Sequence, residues 1–356
     1  MSNTNELPGL VEEILKVNAV KEGTKVVHVS PHIYDERITD AFRIALNNMG
    51  AEFIRLVLPP KSTPDHKVGN PLTGYAVEIL KTAELVVSTS NYTWWGHTSA
   101  PRPTGRIYLY SEEFTEVMSA GVRWLDVMIP EEGMRRLFPS EDLIERTWAG
   151  ARRMAKASEL RITSPAGTDL TLRKDGRKGH RQCGQANEKG MWDNLGFGLV
   201  ATAPLEDSAE GKLVLAPNDY MLQLGMEVKD KVEMTIKGGR IVSIEGGLTS
   251  TILNQWFNQW DNDETFIPAH IGWGTHHNGV WFGTAGFNLA DSESYRGNMQ
   301  IAFGKNIFNT IHPNVGLGGK NTTTEGHIDL DCLNHSFYLD GEQIVNEGKI
   351  VDPELK

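Results

Sequence analysis

The residues best suited to metal chemistry lie in two short segments of the C-terminal half. His327 and Asp329 are separated by one residue in the segment 325–331, and His270 lies in the segment 269–274. Alternate side chains of a β-strand share a face, with Cα atoms roughly 6.6 Å apart, so His327 and Asp329 could converge on one ion. Two imidazoles and one carboxylate leave open coordination positions and suit Fe(II) oxygen chemistry. The pattern therefore predicts a metal site formed by His270, His327 and Asp329.

A His-x-Asp pair is common in proteins, so the motif alone is weak evidence for a metal site. The alternative is that the two side chains form a structural hydrogen bond. Gly272 and Gly274 follow His270, and a glycine-rich stretch, 316–319, precedes His327. A glycine lets the backbone approach a site closely. These neighbours favour the metal site over the structural pair.

Two further residues are candidates for a role in catalysis or binding. His97 follows an expected strand at 84–89, and ligands of open α/β sheets bind beyond the carboxyl ends of strands. A histidine there could be a general base near neutral pH, or a surface residue beside aromatic neighbours. Glu210 precedes an expected strand at 212–215. Its carboxylate could be a ligand, a substrate anchor or simply exposed.

The elements that would position these residues change character near residue 158. Before it, helical segments alternate with apolar strands expected at 24–29, 52–58 and 84–89, and this rhythm predicts a parallel sheet covered by helices. After it, glycines are dense and the expected strands are short. We therefore expect an α/β N-terminal domain with a parallel sheet at 1–158. An α+β, strand-rich metal-binding domain is expected at 159–356.

Composition narrows the class of protein. The 356 residues are enough for two domains, and a formal net charge of −11 without a basic block disfavours nucleic acid and anionic membranes as partners. The two cysteines, Cys183 and Cys332, do not form a disulfide framework. The N-terminus has no signal-peptide pattern, and no apolar run reaches about 18 residues. We therefore expect a cytoplasmic protein with reduced thiols.

Four segments of the C-terminal half occur together, in this order and spacing, in one known family. They are Asp207-Ser208-Ala209-Glu210-Gly211, His270-Ile271-Gly272-Trp273-Gly274, Gly318-Gly319-Lys320 and His327-Ile328-Asp329. In these segments the chain resembles the 2,5-dihydroxypyridine 5,6-dioxygenase family, whose fold is similar to that of aminopeptidase T. The resemblance runs from about residue 160 to the C-terminus, and the N-terminal half is similar in layout.

The resemblance implies a ring-opening dioxygenase of a hydroxylated N-heterocycle, with both atoms of O₂ incorporated as a C–C bond is cleaved. It implies that His270, His327 and Asp329 bind Fe(II). His97 would be the base that removes a phenolic proton. The partners would be a small aromatic substrate and O₂, and the protein would form a homo-oligomer.

Substrate contacts are expected from three further residues. Glu210 and Asn194 would orient the ring, whereas Trp273 would either form an apolar wall or only pack. Asn194 stands where the family carries a histidine. This difference bears on which ring is bound more than on the reaction.

The chain is similar, more distantly, to the two-metal peptidases of the aminopeptidase T family. This implies an alternative function as a metal-dependent aminopeptidase or amide hydrolase, in which water is activated on Zn²⁺ or a similar ion and Glu210 is a ligand. The segment 271–274 lacks the glutamate of that family, and Gln300 replaces a histidine. The loss of two ligands favours a single-ion oxygenase. A third possibility is a binding protein without catalysis or stoichiometric metal.

Overall fold

A computed structural model describes residues 6–31, 35–58, 74–89, 112–127, 129–281, 288–306, 318–320, 322–324 and 326–356. His97 lies outside these ranges. Within them, none of the helices combines the length and the apolar composition that crossing a bilayer requires.

The helices and strands of the described residues follow, in chain order. The α-helices are α1 Leu7–Val17, α2 Glu36–Asn48, α3 Gly74–Leu80, α4 Glu112–Ser119, α5 Glu131–Arg136, α6 Glu141–Lys156, α7 Leu248–Asn258 and α8 Asn288–Ser294. The strands are β1 Lys25–Pro31, β2 Glu52–Leu58, β3 Leu85–Ser88, β4 Arg123–Asp126, β5 Glu159–Thr163, β6 Asp169–Arg173, β7 His180–Gln182, β8 Trp192–Asn194, β9 Leu199–Thr202, β10 Glu210–Leu215, β11 Tyr220–Met221, β12 Met226–Glu227, β13 Val232–Lys237, β14 Arg240–Gly246, β15 Pro268–Gly274, β16 Met299–Gly304, β17 His327–Cys332, β18 Ser336–Leu339, β19 Glu342–Asn346 and β20 Lys349–Ile350. Short 3₁₀ helices cover Leu222–Leu224, Asp263–Phe266 and Pro353–Leu355.

The first of two compact units includes the described residues of the segments 1–140 and 182–197. Its sheet has the strand order β2-β1-β3-β4-β8, and every neighbouring pair is parallel. All four residues of β3 are buried, as parallel strands covered on both faces require. The predicted α/β architecture with a parallel sheet is confirmed. The division of the chain into two domains near residue 158 stays a prediction.

The second unit includes the described residues of 141–181, 198–309 and 316–356. It contains an eight-stranded sheet, β14-β13-β10-β6-β5-β18-β19-β20, and a seven-stranded sheet, β12-β11-β17-β16-β15-β9-β7. One apolar core includes residues of both sheets. The strand-rich C-terminal architecture is therefore confirmed, and the register of its seven-stranded sheet positions the candidate site.

Helix α6 packs closely against a strand of the seven-stranded sheet. A Cβ on Gly150 would lie 2.7 Å from Cγ2 of Val200 on β9, so a larger residue would push the helix away. Val200 in turn pairs with Trp273 of β15. The helix therefore supports the strand that carries His270.

Candidate metal centre

Alternation along two strands of the seven-stranded sheet separates the candidate ligands from the apolar core. On β17, Ile328 and Leu330 belong to the core, so His327 and Asp329 point to the opposite face. On β15, the side chains of Ile271 and Trp273 belong to the same core, which leaves His270 on the face of His327 and Asp329. A sheet with one apolar face thus presents all three polar side chains together. 

The register brings the three side chains into contact. His270 pairs with Ala302 of β16, and Ala302 pairs with Asp329. Nε2 of His270 lies 3.0 Å from Oδ1 of Asp329, and Nε2 of His327 lies 3.2 Å from Oδ2. The two imidazole rings stack with centroids 5.3 Å apart. Ligand atoms of the three residues all lie within 4.8 Å of one another, a spacing that could hold one metal ion.

A backbone carbonyl fixes the orientation of the His327 ring. Nδ1 of His327 lies 2.8 Å from the carbonyl oxygen of Lys305. A carbonyl only accepts hydrogen bonds, so Nδ1 must carry the proton, and in the neutral ring Nε2 presents a lone pair. Metal-binding histidines usually donate their second N–H in this way. The donor set fits a divalent ion.

Burial and mutual pairing shift the pKa values of the three groups. Burial lowers the pKa of His270, and Asp329 offsets this only in part. Burial also acts to lower the pKa of His327, but Asp329 and the Lys305 carbonyl outweigh it, so the value is raised. Burial acts to raise the pKa of Asp329, but the two histidines outweigh it and the value falls well below its ordinary range. The carboxylate is therefore ionised and available to a cation.

Two further acids are buried beside the cluster. Burial raises the pKa of Glu293 and of Asp331 well above their ordinary values, and the Asp329 carboxylate raises both further. Nε2 of Gln300 donates to Oε1 of Glu293 and lies 3.4 Å from Oδ1 of Asp329. Neither Glu293 nor Asp331 belongs to the group of potential ligands found among the described residues. Among the described residues, the group that could hold an ion therefore consists of His270, His327 and Asp329.

Comparison with known proteins identifies the family of the chain. The sequence model described as 2,5-dihydroxypyridine 5,6-dioxygenase (NicX) matches residues 6–352. The chain belongs to this family. The resemblance predicted from the four C-terminal segments is therefore confirmed, and it extends over the N-terminal half as well.

Individual members of the dioxygenase family support the same conclusion. The 2,5-dihydroxypyridine 5,6-dioxygenase of Pseudomonas putida KT2440 is 29% identical to this chain in an alignment of 360 positions. The alignment covers 98% of this chain and 97% of that protein. The structure of the dioxygenase from that organism superimposes with a TM-score of 0.86 at 27% identity, covering 99% of both chains.

AmpT from Thermus thermophilus has a similar fold. It superimposes with a TM-score of 0.63 at 17% identity, covering 98% of this chain and 99% of AmpT. This similarity shows the fold alone.

The remaining predicted site residues of this family member that the structure describes lie on three different strands. Glu210 is exposed at the start of β10 in the eight-stranded sheet, where Oε1 accepts a hydrogen bond from the Gly238 N–H at 2.6 Å. Trp273 lies on the core face of β15 and packs against Phe337 with ring centroids 5.1 Å apart. Asn194 is buried at the end of β8 in the parallel sheet of the first unit. The substrate contacts of these residues stay predictions, as does the role of His97.

Sequence reasoning missed the glutamine side chains that contact the dioxygenase cluster. The sequence identifies Gln300 only as the replacement of a peptidase ligand, whereas the structure shows that its amide links Glu293 to Asp329. Gln223 accepts a hydrogen bond from the Asp329 N–H and also donates to its carboxylate. No local pattern points to Gln223, because 106 residues separate it from Asp329.

Proposed function

We propose that this protein is a non-haem, Fe(II)-dependent dioxygenase that opens a hydroxylated N-heterocycle such as 2,5-dihydroxypyridine. Family membership supports the ring-cleaving dioxygenase reaction. The observation that carries the iron proposal is the buried group of His270, His327 and Asp329 on one sheet face. Two imidazoles and a carboxylate are the donors that open Fe(II) sites use.

Each part of the cluster has a defined task in this proposal. Bound there, Fe(II) would supply a redox-active ion with open coordination positions for extradiol-type cleavage. Asp329 brings one negative charge to the buried site. The carbonyl of Lys305 holds the His327 ring so that Nε2 faces Asp329. The reaction adds both atoms of O₂ to the substrate and needs no outside reductant, because the cleaved ring supplies the electrons.

We propose that His97 accepts the proton of the substrate, and the support for this role is the resemblance to the family. A neutral imidazole can take the phenolic proton of the substrate near pH 7, which makes the ring more electron-rich. We propose contacts to the ring from Asn194 and Glu210. Trp273 lies on the core face of β15 and packs against Phe337, so we propose the second of its two predicted roles, packing alone. The metal centre does not depend on these residues.

The decisive experiment measures O₂ consumption after anaerobic loading with Fe(II). We expect one or more hydroxypyridines of a panel to consume O₂, and mass spectrometry with ¹⁸O₂ to find two labelled atoms in the ring-opened product. His327→Ala should reduce consumption to background. The control His277→Ala removes an exposed histidine of the same unit and should leave the rate unchanged.

Two outcomes would contradict the proposal. If the protein cleaves peptides or amides without O₂, and if none of the hydroxypyridines leads to O₂ consumption, the aminopeptidase alternative is favoured. At 17% identity, the similarity to AmpT supports that alternative only in fold. Binding of a ring without turnover, by a protein lacking stoichiometric metal, would favour the binding protein. The cytoplasmic location stays a prediction. The homo-oligomer also stays a prediction, and light scattering would test it.

A further inference from the structure

Gln223 contacts the predicted metal ligand Asp329 at two points. It lies in the 3₁₀ helix Leu222–Leu224, which follows β11, and β11 borders β17 on the side away from β16. Its Oε1 accepts a hydrogen bond from the Asp329 N–H at 2.6 Å. Its Nε2 donates to Oδ2 of the Asp329 carboxylate. One amide therefore connects the backbone and the carboxylate of the same residue.

This two-point contact restricts how the carboxylate can turn. A carboxylate held at one oxygen can still rotate about its Cβ–Cγ bond, where the torsional preference is broad. Because Gln223 is also bound to the Asp329 backbone, its amide sets Oδ2 relative to the strand itself. The opposite oxygen, Oδ1, then faces His270 at 3.0 Å.

The amide also provides a hydrogen bond without adding charge. An arginine or lysine at this position would donate to the carboxylate but would bring a positive charge that competes with a cation. A glutamate would add a second negative charge beside Asp329 and raise the pKa values of the pair. A glutamine leaves the single negative charge of Asp329 for the ion.

We propose that Gln223 is a positioning residue for the metal centre, which fixes the Asp329 carboxylate in the orientation that completes the site with His270 and His327. This inference rests on the metal centre of the proposed function. Partners that hold metal ligands in place typically affect metal affinity by roughly 10–100-fold when they are removed. The same range is expected here.

The test uses Co(II), whose absorption bands report both binding and coordination geometry. Gln223→Met keeps the length of the side chain and removes both hydrogen bonds. We expect it to bind Co(II) roughly 10–100-fold more weakly than the wild type and with altered bands. The control Gln343→Met removes an amide that donates to Tyr338 and Asn346 in the same unit. It should match the wild type in affinity and spectrum.

Several outcomes would overturn the inference. If Gln223→Met binds Co(II) with the wild-type affinity and spectrum, the positioning role is wrong, while the metal centre stands. A loss of stability of the metal-free variant with an unchanged spectrum would show a merely structural contact. If the wild type binds no Co(II), or binds it equally well after His327→Ala, the metal centre itself falls and the inference with it.

A second variant covers the case in which Gln223→Met does not fold. Gln223→Asn keeps the amide but shortens the side chain by one methylene, so it cannot make both contacts. We expect the same loss of Co(II) affinity. Wild-type affinity in a folded Gln223→Asn protein would contradict the inference as directly as it would for the first variant.

Discussion

His270 and Asp329 contact each other across an intervening strand. Nε2 of His270 lies 3.0 Å from Oδ1 of Asp329, although β16 runs between β15 and β17. Neighbouring strands are about 4.8 Å apart, so the two backbones are separated by about twice that distance. The residue of β16 between them is Ala302, whose methyl group leaves room for both side chains to converge. The site therefore requires a small residue at this position.

Enlarging Ala302 should separate the two ligands. Ala302→Leu would place a branched side chain between His270 and Asp329, and we expect Co(II) affinity to fall by at least about tenfold. Isothermal titration calorimetry of the metal-free protein with Co(II) measures this. The control is Ile301→Val on the opposite, apolar face, which should cost about 0.5–1.5 kcal/mol of stability and leave the affinity unchanged. Equal affinity of Ala302→Leu and wild type would show that the ligands do not meet over Ala302.

Gly304 should be sensitive to substitution because its backbone conformation and its surroundings both require glycine. Its φ is +96°, and an added Cβ would lie 2.2 Å from the carbonyl oxygen of Gly326, next to His327. Gly341 has a similar φ of +84° but no atom within 4 Å of such a Cβ. We expect Gly341→Ala to cost about 1 kcal/mol through strain alone and Gly304→Ala to cost about 3 kcal/mol. Urea unfolding of the metal-free proteins compares them, and equal losses would contradict the clash.

The sequence predicts all three ligands, but it explains only the local part of their geometry. Strand alternation placed His327 and Asp329 on one face, because that property depends on neighbouring residues alone. His270 joins them through the pairing of β15, β16 and β17, a register that no local pattern determines. Its inclusion in the prediction rests on an imidazole beside Gly272 and Gly274 and on the family resemblance. Gln223 was missed because its contact with Asp329 spans 106 residues and no local pattern points to it.

The fold shows the same division between local and long-range information. The apolar strand β2 has the bounds expected from its sequence, Glu52–Leu58, because its pattern is strong. Strands β4, Arg123–Asp126, and β8, Trp192–Asn194, were not predicted. Each is short and ends in a polar residue, so neither gives a clear period. They form strands because β3 offers backbone partners to β4, and β4 offers them to the edge strand β8.

Stability should decrease in acid because of His335. Its Nδ1 lies 2.7 Å from the Leu333 carbonyl oxygen, its Nε2 lies 2.9 Å from the Thr168 hydroxyl, and burial lowers its pKa to about 4. The pKa in the unfolded chain is about 6.5, so the unfolded state binds more protons between these values. The free energy of unfolding therefore falls as the pH drops from about 6.5 to about 4, by about 3 kcal/mol from this group.

Replacing this histidine should remove that part of the pH dependence. Urea unfolding of metal-free protein between pH 7 and pH 4.5 measures it. We expect His335→Gln to be less stable than the wild type at pH 7, with the difference shrinking as the pH falls. The control His277→Gln, at an exposed position, should follow the wild-type curve. A constant difference between His335→Gln and wild type across this range would show that His335 does not titrate as its burial requires.

Metal binding should stabilise the folded protein. The three ligands come from β15 and β17, so the complete site exists only when the seven-stranded sheet is formed. A ligand that binds only the folded state at 100 times its Kd adds about 2.7 kcal/mol to the free energy of unfolding. We expect Co(II) at that ratio to shift the urea unfolding curve of the wild type by this amount, and chelation to reverse the shift. His327→Ala should show no shift at the same Co(II) concentration, whereas His277→Ala should behave as the wild type. An equal shift in His327→Ala would mean that the ion binds elsewhere on the chain.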